Sequence, residues 1–323
     1  VTNFKEYIAA KKKEMKAGIK QQEKQPDAMA NIVFNHVLYG KTMFGLTASV
    51  KSVDKIVLQD IKNYYEKYYT PSLAKITIVG DMSEQEAKQK LEALNKWSPK
   101  NVTIPPPPAP QPQQGEQFFI YDINGAPSSV INMGYTSLKF DPYGDYFKNN
   151  IANFIFGGNF NSRLNLNLRE DKGYTYGIGS YFGGNNYMGR FTISSSVKRK
   201  ATALSLAEIT KELKEYNTNG ITDKELEYTK NSLLNQEAIK YESSYQKLFF
   251  LVNIITYNLD NDFTAKQNKI LSTITKDEVN AQIKKYITPG NINTVIVGDK
   301  IAIEAQLKKY NMDTIKLKKI TLD

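Results

Sequence analysis

Apolar and polar residues alternate along 117–123 and 128–138, the two-residue period of strands with one buried face. A different period follows. Pro142 suits a first helical turn, and Tyr143, Tyr146, Phe147, Ile151, Phe154 and Ile155 trace one helical stripe after it. Gly157-Gly158 stops that stripe, and residues 160–170 read as a second short helix. Alternation returns over 174–182 and 190–197, with Phe191, Ile193, Ser195 and Val197 on one face. Leu206, Ile209, Leu213 and Tyr216 form another helical stripe, closed by Gly220. Thr222, with Glu225 three residues on, is a capping box for a helix from Asp223 to about Lys240. Further helices run to Tyr286, and 294–297 is a strand. Strands grouped with helical excursions between them predict an α+β unit: an antiparallel sheet with helices packed on one face.

Two features divide the chain. Residues 105–115 hold six of the twelve prolines. Proline fixes φ and donates no ladder hydrogen bond, so this stretch reads as an extended strap between two domains. The two sides of the strap also match. Lys67-Tyr68-Tyr69-Thr70-Pro71 and Ile78-Val79-Gly80-Asp81 recur 218 positions later, as Lys285-Tyr286-Ile287-Thr288-Pro289 and Ile296-Val297-Gly298-Asp299. Ile56 with Asp60-Ile61 matches Ile274 with Glu278-Val279 at the same offset, and Thr2-Asn3 with Tyr7 roughly matches Thr222-Asp223 with Tyr228. We read the chain as two homologous domains of one design. Residues 1–104 would be the C-terminal half of the first, 105–115 the linker and 116–323 a complete second. On this reading about a hundred residues of the first copy lie outside the sequence, so the first domain is incomplete.

Composition narrows the chemistry. There is no cysteine, which excludes thiolate catalysis, disulfides and cysteine-held metal centres. The one histidine, His36, sits in an apolar helical run, Ile32-Val33-Phe34-Asn35-His36-Val37-Leu38, and reads as a structural side chain. No zinc site built on two histidines exists in this chain. The net charge of +10 comes almost wholly from dispersed lysines, the densest at 11–13 and 316–319. Arginine, the preferred reader of bases and phosphates, occurs only at 163, 169, 190 and 199, so we expect a solvated lysine surface and no nucleic-acid partner. No apolar run is long enough to span a membrane.

One run of residues carries a family resemblance. Gly157-Gly158-Asn159-Phe160-Asn161-Ser162-Arg163-Leu164, then Leu168-Arg169-Glu170, Gly173 and Tyr176, spell G-G-x-F-x-S-R-L … L-R-E-x-x-G-x-x-Y. This resembles the second domain of the pitrilysin/insulinase zinc metallopeptidases (inverzincins), particularly the bacterial relatives of mitochondrial processing peptidase. Pro26-Asp27-Ala28-Met29-Ala30 before Tyr39-Gly40, and the two V-G-D strands, are similar too. The resemblance implies an enzyme of two double-domain units closing on a peptide. One unit holds zinc through an H-x-x-E-H helix and a later glutamate. The other, without zinc, offers an arginine and a tyrosine seven residues apart to the substrate.

This chain resembles the non-zinc unit, N-terminally truncated. The family's distal glutamate should fall at 17–18, where the sequence has Ala17 and Gly18, with Lys11 or Ala10 at the accompanying acidic position. Glu14, about 5 Å away along a helix, is the nearest carboxylate. The expectation is therefore that this chain alone binds no cofactor, that it is inactive by itself, and that zinc belongs to an H-x-x-E-H partner unit or to the missing segment. The Arg/Tyr pair matches Arg169 and Tyr176, which would bind substrate by donating hydrogen bonds to peptide carbonyls. Tyr174 competes with Tyr176, since alternation would put both on one face. Two other readings stay open: a catalytic unit whose H-x-x-E-H segment lies in the missing part, and an inert structural subunit of the same fold. The compartment is open, a bacterial periplasmic or secreted setting being what the family suggests.

Overall fold

The computed structural model describes residues 4–110, 115–237, 240–312 and 314–320. Thr2-Asn3 of the repeat match, strap residues 111–114 and positions 238–239 of the expected 223–240 helix lie outside them. The first half holds α1 (Phe4–Gln22), α2 (Pro26–Tyr39), α3 (Val50–Lys55), α4 (Leu58–Tyr68) and α5 (Glu84–Lys90). Described strap residues 105–110 carry neither helix nor strand. After the strap come β1 (Gln117–Asp122), β2 (Ser128–Ser137), α6 (Asp145–Asn153), α7 (Arg163–Asn165), β3 (Thr175–Gly184) and β4 (Gly189–Lys198). The chain continues through α8 (Thr202–Asn219), α9 (Asp223–Glu237), α10 (Ser244–Tyr257), α11 (Phe263–Thr273), α12 (Lys276–Tyr286), β5 (Asn293–Gly298), α13 (Lys300–Lys309) and β6 (Leu317–Lys319).

The strands form one six-stranded sheet in the order β3-β4-β2-β5-β1-β6. Its β3–β4–β2–β5 portion is antiparallel, as the grouping of strands and helices predicts. The sheet as a whole is mixed, because β1 runs parallel to both β5 and β6. Alternation within a strand fixes which face is buried but not the direction of its neighbour, so the parallel pairs were not visible in the sequence. The unit's own helices cover one face. There Ile131, Met133, Phe191, Ile193 and Ile296 are buried against Leu206, Ile209, Leu213 and Tyr216 of α8 and Val279 and Ile283 of α12. Each such side chain contributes about 1.5–3 kcal/mol relative to exposure.

The opposite face takes a helix from the other half of the chain. Val33, Phe34 and Val37 of α2 pack on Val130 of β2 and Val295 and Val297 of β5. Gly134 permits this approach: a Cβ there would lie 2.0 Å from the Phe191 carbonyl oxygen and 3.1 Å from Phe34 Cζ.

Local chemistry corrects two element bounds. The helix expected at Pro142 starts at Asp145, because Asp141 Oδ1 accepts from Tyr143 N (3.0 Å) and Gly144 N (2.9 Å) and closes a turn first. The expected helix at 160–170 is only α7 followed by wide turns, in which Lys172 N reaches Asn167 O (2.9 Å) and Tyr174 N reaches Leu168 O (2.9 Å).

The 218-residue spacing recurs in the helices. Shifted by 218, α4 falls on α12 and α2 on α10, end for end. Their surroundings differ. Seven residues of α2 are buried, and none of α10 is. The strand expected at 76–79 is likewise unpaired: Ile76 is 51% exposed and Ile78 41%, whereas Ile296 of β5 is fully buried. A strand exists through its neighbour's ladder, and among the described residues this segment belongs to no sheet. The expected sheet of the first domain is therefore not formed by the described residues.

Candidate functional site

Arg169 and Tyr176 sit at the two ends of one braced turn. The helix carrying Arg169 unwinds through wide turns, and Gly173 at φ +62° reverses the chain, a conformation that favours glycine. Gly173 N donates to Arg169 O (3.2 Å), and Lys198 of the neighbouring strand donates twice, from N to Tyr174 O (3.0 Å) and from Nζ to Gly173 O (2.7 Å). The start of β3 is then distorted: between Thr175 and Ile178 the register with β4 shifts. Thr175 Oγ1 donates to Ser196 O (2.6 Å), Ser195 Oγ donates to Gly177 O (3.0 Å), and Ile178 N donates to the buried Asn165 Oδ1 (3.0 Å). These bonds satisfy the backbone groups that the irregularity removes from the ladder.

The irregularity decides between the two tyrosines. Thr175 and Ile178 are both buried, and the segment between them is pushed outward. Tyr176 is 93% exposed, whereas Tyr174, before the strand, is half-buried. Regular alternation would have given the two rings one environment. The Arg169 guanidinium lies 4.1 Å from the Phe160 ring centroid and 3.4 Å from Glu170 Oε1, with its side chain 31% exposed. It is thus held by an aromatic face and one solvent-facing carboxylate, a contact worth at most about 1 kcal/mol. No hydrogen bond joins Arg169 to Tyr176 among the described residues. Each keeps N–H or O–H donors for something else.

The other arginine of the motif is structural. Arg163 grips Glu225 from Nε (2.6 Å) and Nη2 (2.7 Å), donates to Gly220 O (3.1 Å) and lies 4.6 Å from the buried Tyr216 ring. Burial pushes the Glu225 carboxyl up. The bonds from Arg163 and from the N–H and hydroxyl of Thr222 outweigh it and leave the group below its ordinary value.

The described residues do not fit zinc. Among the described residues no group of three His, Asp or Glu is placed to hold a metal ion. Ala17 and Gly18 are exposed on α1, and Glu14 is paired with Lys11 at 2.7 Å on the surface. His36 lies on α2 with Nδ1 3.3 Å from Gly45 O.

A family model described as the peptidase M16 inactive domain matches residues 55–233, more than half of the chain. This chain belongs to the peptidase M16 inactive-domain family. The family resemblance in the sequence pointed there. Among curated relatives, the Helicobacter pylori non-peptidase homolog YmxG is 23% identical over 293 residues, covering 90% of this chain and 67% of that protein. The Bacillus subtilis uncharacterized zinc protease YmxG is 24% identical, covering 81% of this chain and 62% of its own length. The chain thus spans about two thirds of the length of these relatives. A crystal structure of a peptidase M16 inactive domain from Pseudomonas fluorescens superposes with a TM-score of 0.78 at 25% identity, over 93% of this chain and 72% of that one. No helix among the described residues is long and apolar enough to cross a membrane.

The sequence did not single out Phe160 as the platform under Arg169, because it was assigned to a helix. Nor did it single out Asn165, whose side chain replaces a ladder partner for Ile178. An aromatic nine positions before an arginine carries no periodic signal.

Proposed function

We propose that this chain is the non-zinc, substrate-holding unit of an M16-type peptidase. Arg169 and Tyr176 grip the backbone of a bound peptide while a homologous H-x-x-E-H unit supplies zinc and hydrolyses the bond. The observation that carries the reading is the pair of open donors on a bonded turn, in a chain whose described residues bring no three His, Asp or Glu together for zinc. A guanidinium donates in a fixed fork and a phenol donates one directional bond. The turn fixes their backbone positions, so only the two side chains would have to order on an extended peptide. The helices recurring at 218 residues support reading the chain as two copies of one unit, residues 1–104 being the latter part of the first and 116–323 the second. The partner would be a homologous subunit or a second half of the same polypeptide.

Calorimetric titration of the chain with an unstructured peptide tests the reading. Binding should weaken three- to thirtyfold in Arg169→Ala and in Tyr176→Phe, with unchanged melting temperature. Equal binding by both variants would contradict it. It would favour the second reading, an inert structural subunit, for which the Helicobacter relative's name as a non-peptidase homolog speaks.

A further inference from the structure

A second cluster of donors lies on the sheet face that carries α2, away from the Arg169 turn. Arg190 projects from β4 on that face, half-buried, between α2 and β3. Its Nη1 donates to Asn35 Oδ1 of α2 and its Nη2 to Tyr181 Oη of β3 (2.9 Å). The guanidinium carbon lies 5.9 Å from the Phe34 ring centroid and 5.6 Å from that of Tyr181. Among the described residues no carboxylate lies within 4.0 Å of it. A half-buried cation without an anion is costly, and most such groups find a partner.

The surroundings supply the shape and the remaining chemistry. Arg190, Asn35 and Tyr39 line a cavity of about 250 Å³, completed by Phe44, Gly183 and Asn185. Asn35 spends its oxygen on Arg190, so only its amide N–H groups remain to offer. Tyr39 is buried as a residue, but its phenol oxygen is not wholly so, and it makes no hydrogen bond among the described residues. Burial keeps it above its ordinary value despite the nearby guanidinium, so it stays a neutral donor. The Arg190 cation, the Asn35 amide and the Tyr39 phenol line one space, and no carboxylate is among its lining residues. That donor set fits a planar carboxylate, which a guanidinium binds with two parallel bonds.

We propose that the Arg190–Asn35–Tyr39 cavity binds a carboxylate of the peptide this chain holds. The inference rests on the peptide-holding reading for the source of that carboxylate, and only for that. Tyr181 and Tyr176 are five residues apart on β3, so an extended peptide touching Tyr176 would bring its carboxylate to Arg190 on the order of 15 Å further on. The chain's net charge of +10 favours acidic ligands in the same sense.

Two sources share the chemistry, an acidic side chain and a free C-terminus. Backbone and side-chain amide shifts of labelled protein are followed with N-acetylglutamate α-amide, with N-acetylalanine, and with N-acetylglutamine amide as the neutral control. Saturable shifts at Asn35, Gly183 and Asn185 are expected with at least one acid and not with the control, and they should vanish in Arg190→Gln. Whichever acid acts names the source. If neither acid moves these resonances, the proposal is overturned, and this wild-type result needs no variant to fold. If Arg190→Gln titrates as wild type does, it is overturned too. A second arm compares a Glu-containing peptide with its Gln isostere. Wild type should favour Glu five- to tenfold and Arg190→Gln should favour neither, while Arg169→Ala weakens both alike. If no peptide binds at all, the peptide-holding reading fails and the small-acid titration still decides the cavity.

Discussion

Arg163 and Arg169, six positions apart, show how a side chain's surroundings divide structural from functional work. Arg163 spends its guanidinium on Glu225 and Gly220 inside the fold, whereas Arg169 rests on Phe160 with donors to spare. Arg163→Ala would leave Glu225 part-buried without its cation, and we expect a loss of about 3–5 kcal/mol in urea unfolding. The same pair sets an acid dependence. The Glu225 carboxyl is held below its ordinary value in the folded state. Its contribution is therefore complete above the unfolded-state value, near 4.3, and is lost as pH falls through the lower folded value. Unfolding midpoints of wild type and Glu225→Gln should differ at neutral pH and converge as pH drops below about 4. A gap independent of pH would show that the pair is not what separates them. Tyr176 makes the opposite point: at 93% exposure its ring stabilises nothing, so Tyr176→Phe should leave the melting temperature within about 1 °C.

At the scale of elements, the apolar stripes were legible and their partners were not. Leu206, Ile209, Leu213 and Tyr216 announced α8 and are all buried, and the alternation of Phe191, Ile193 and Val197 fixed the core face of β4. The displaced Tyr176 was not legible, because an extra residue in a strand leaves the composition unchanged and is held by side chains as distant as Asn165. Nor was β6, whose Lys318 and Lys319 read as a charge cluster but pair with Phe119 and Ile120 at the sheet edge, where lysines discourage further strand addition. α2 and α10 are the sharpest case. Both are apolar helices at the same repeat position, yet Phe34 is fully buried and Val252, its counterpart 218 residues on, is 38% exposed. A helix's apolar face requires a cover but does not say which one. Phe34→Ala should cost about 3–5 kcal/mol in chemical unfolding, and Val252→Ala no more than about 0.5 kcal/mol. A large loss at Val252 would mean that α10 packs more tightly than its exposure indicates.

At the scale of the whole molecule, the sheet within residues 116–320 buries a core on both faces, whereas α10 buries none of its apolar residues, and among the described residues no three His, Asp or Glu are grouped to hold a metal ion. Metal analysis of the purified chain should find no stoichiometric zinc, since Glu14 is tied to Lys11 and, among the described residues, no three His, Asp or Glu are grouped to hold a metal ion. One tightly held zinc per chain would sink that part of the reading. The central claim, that the Arg169 turn holds substrate for a zinc-bearing partner, is tested most directly by kcat/KM for peptide cleavage in the chain reconstituted with an H-x-x-E-H unit. If each side chain donates one hydrogen bond in the transition state, Arg169→Ala and Tyr176→Phe should each lower it by about 1–3 kcal/mol, roughly five- to 150-fold, with assembly and folding unchanged. Cleavage at the wild-type rate by the pair lacking both groups would contradict the account.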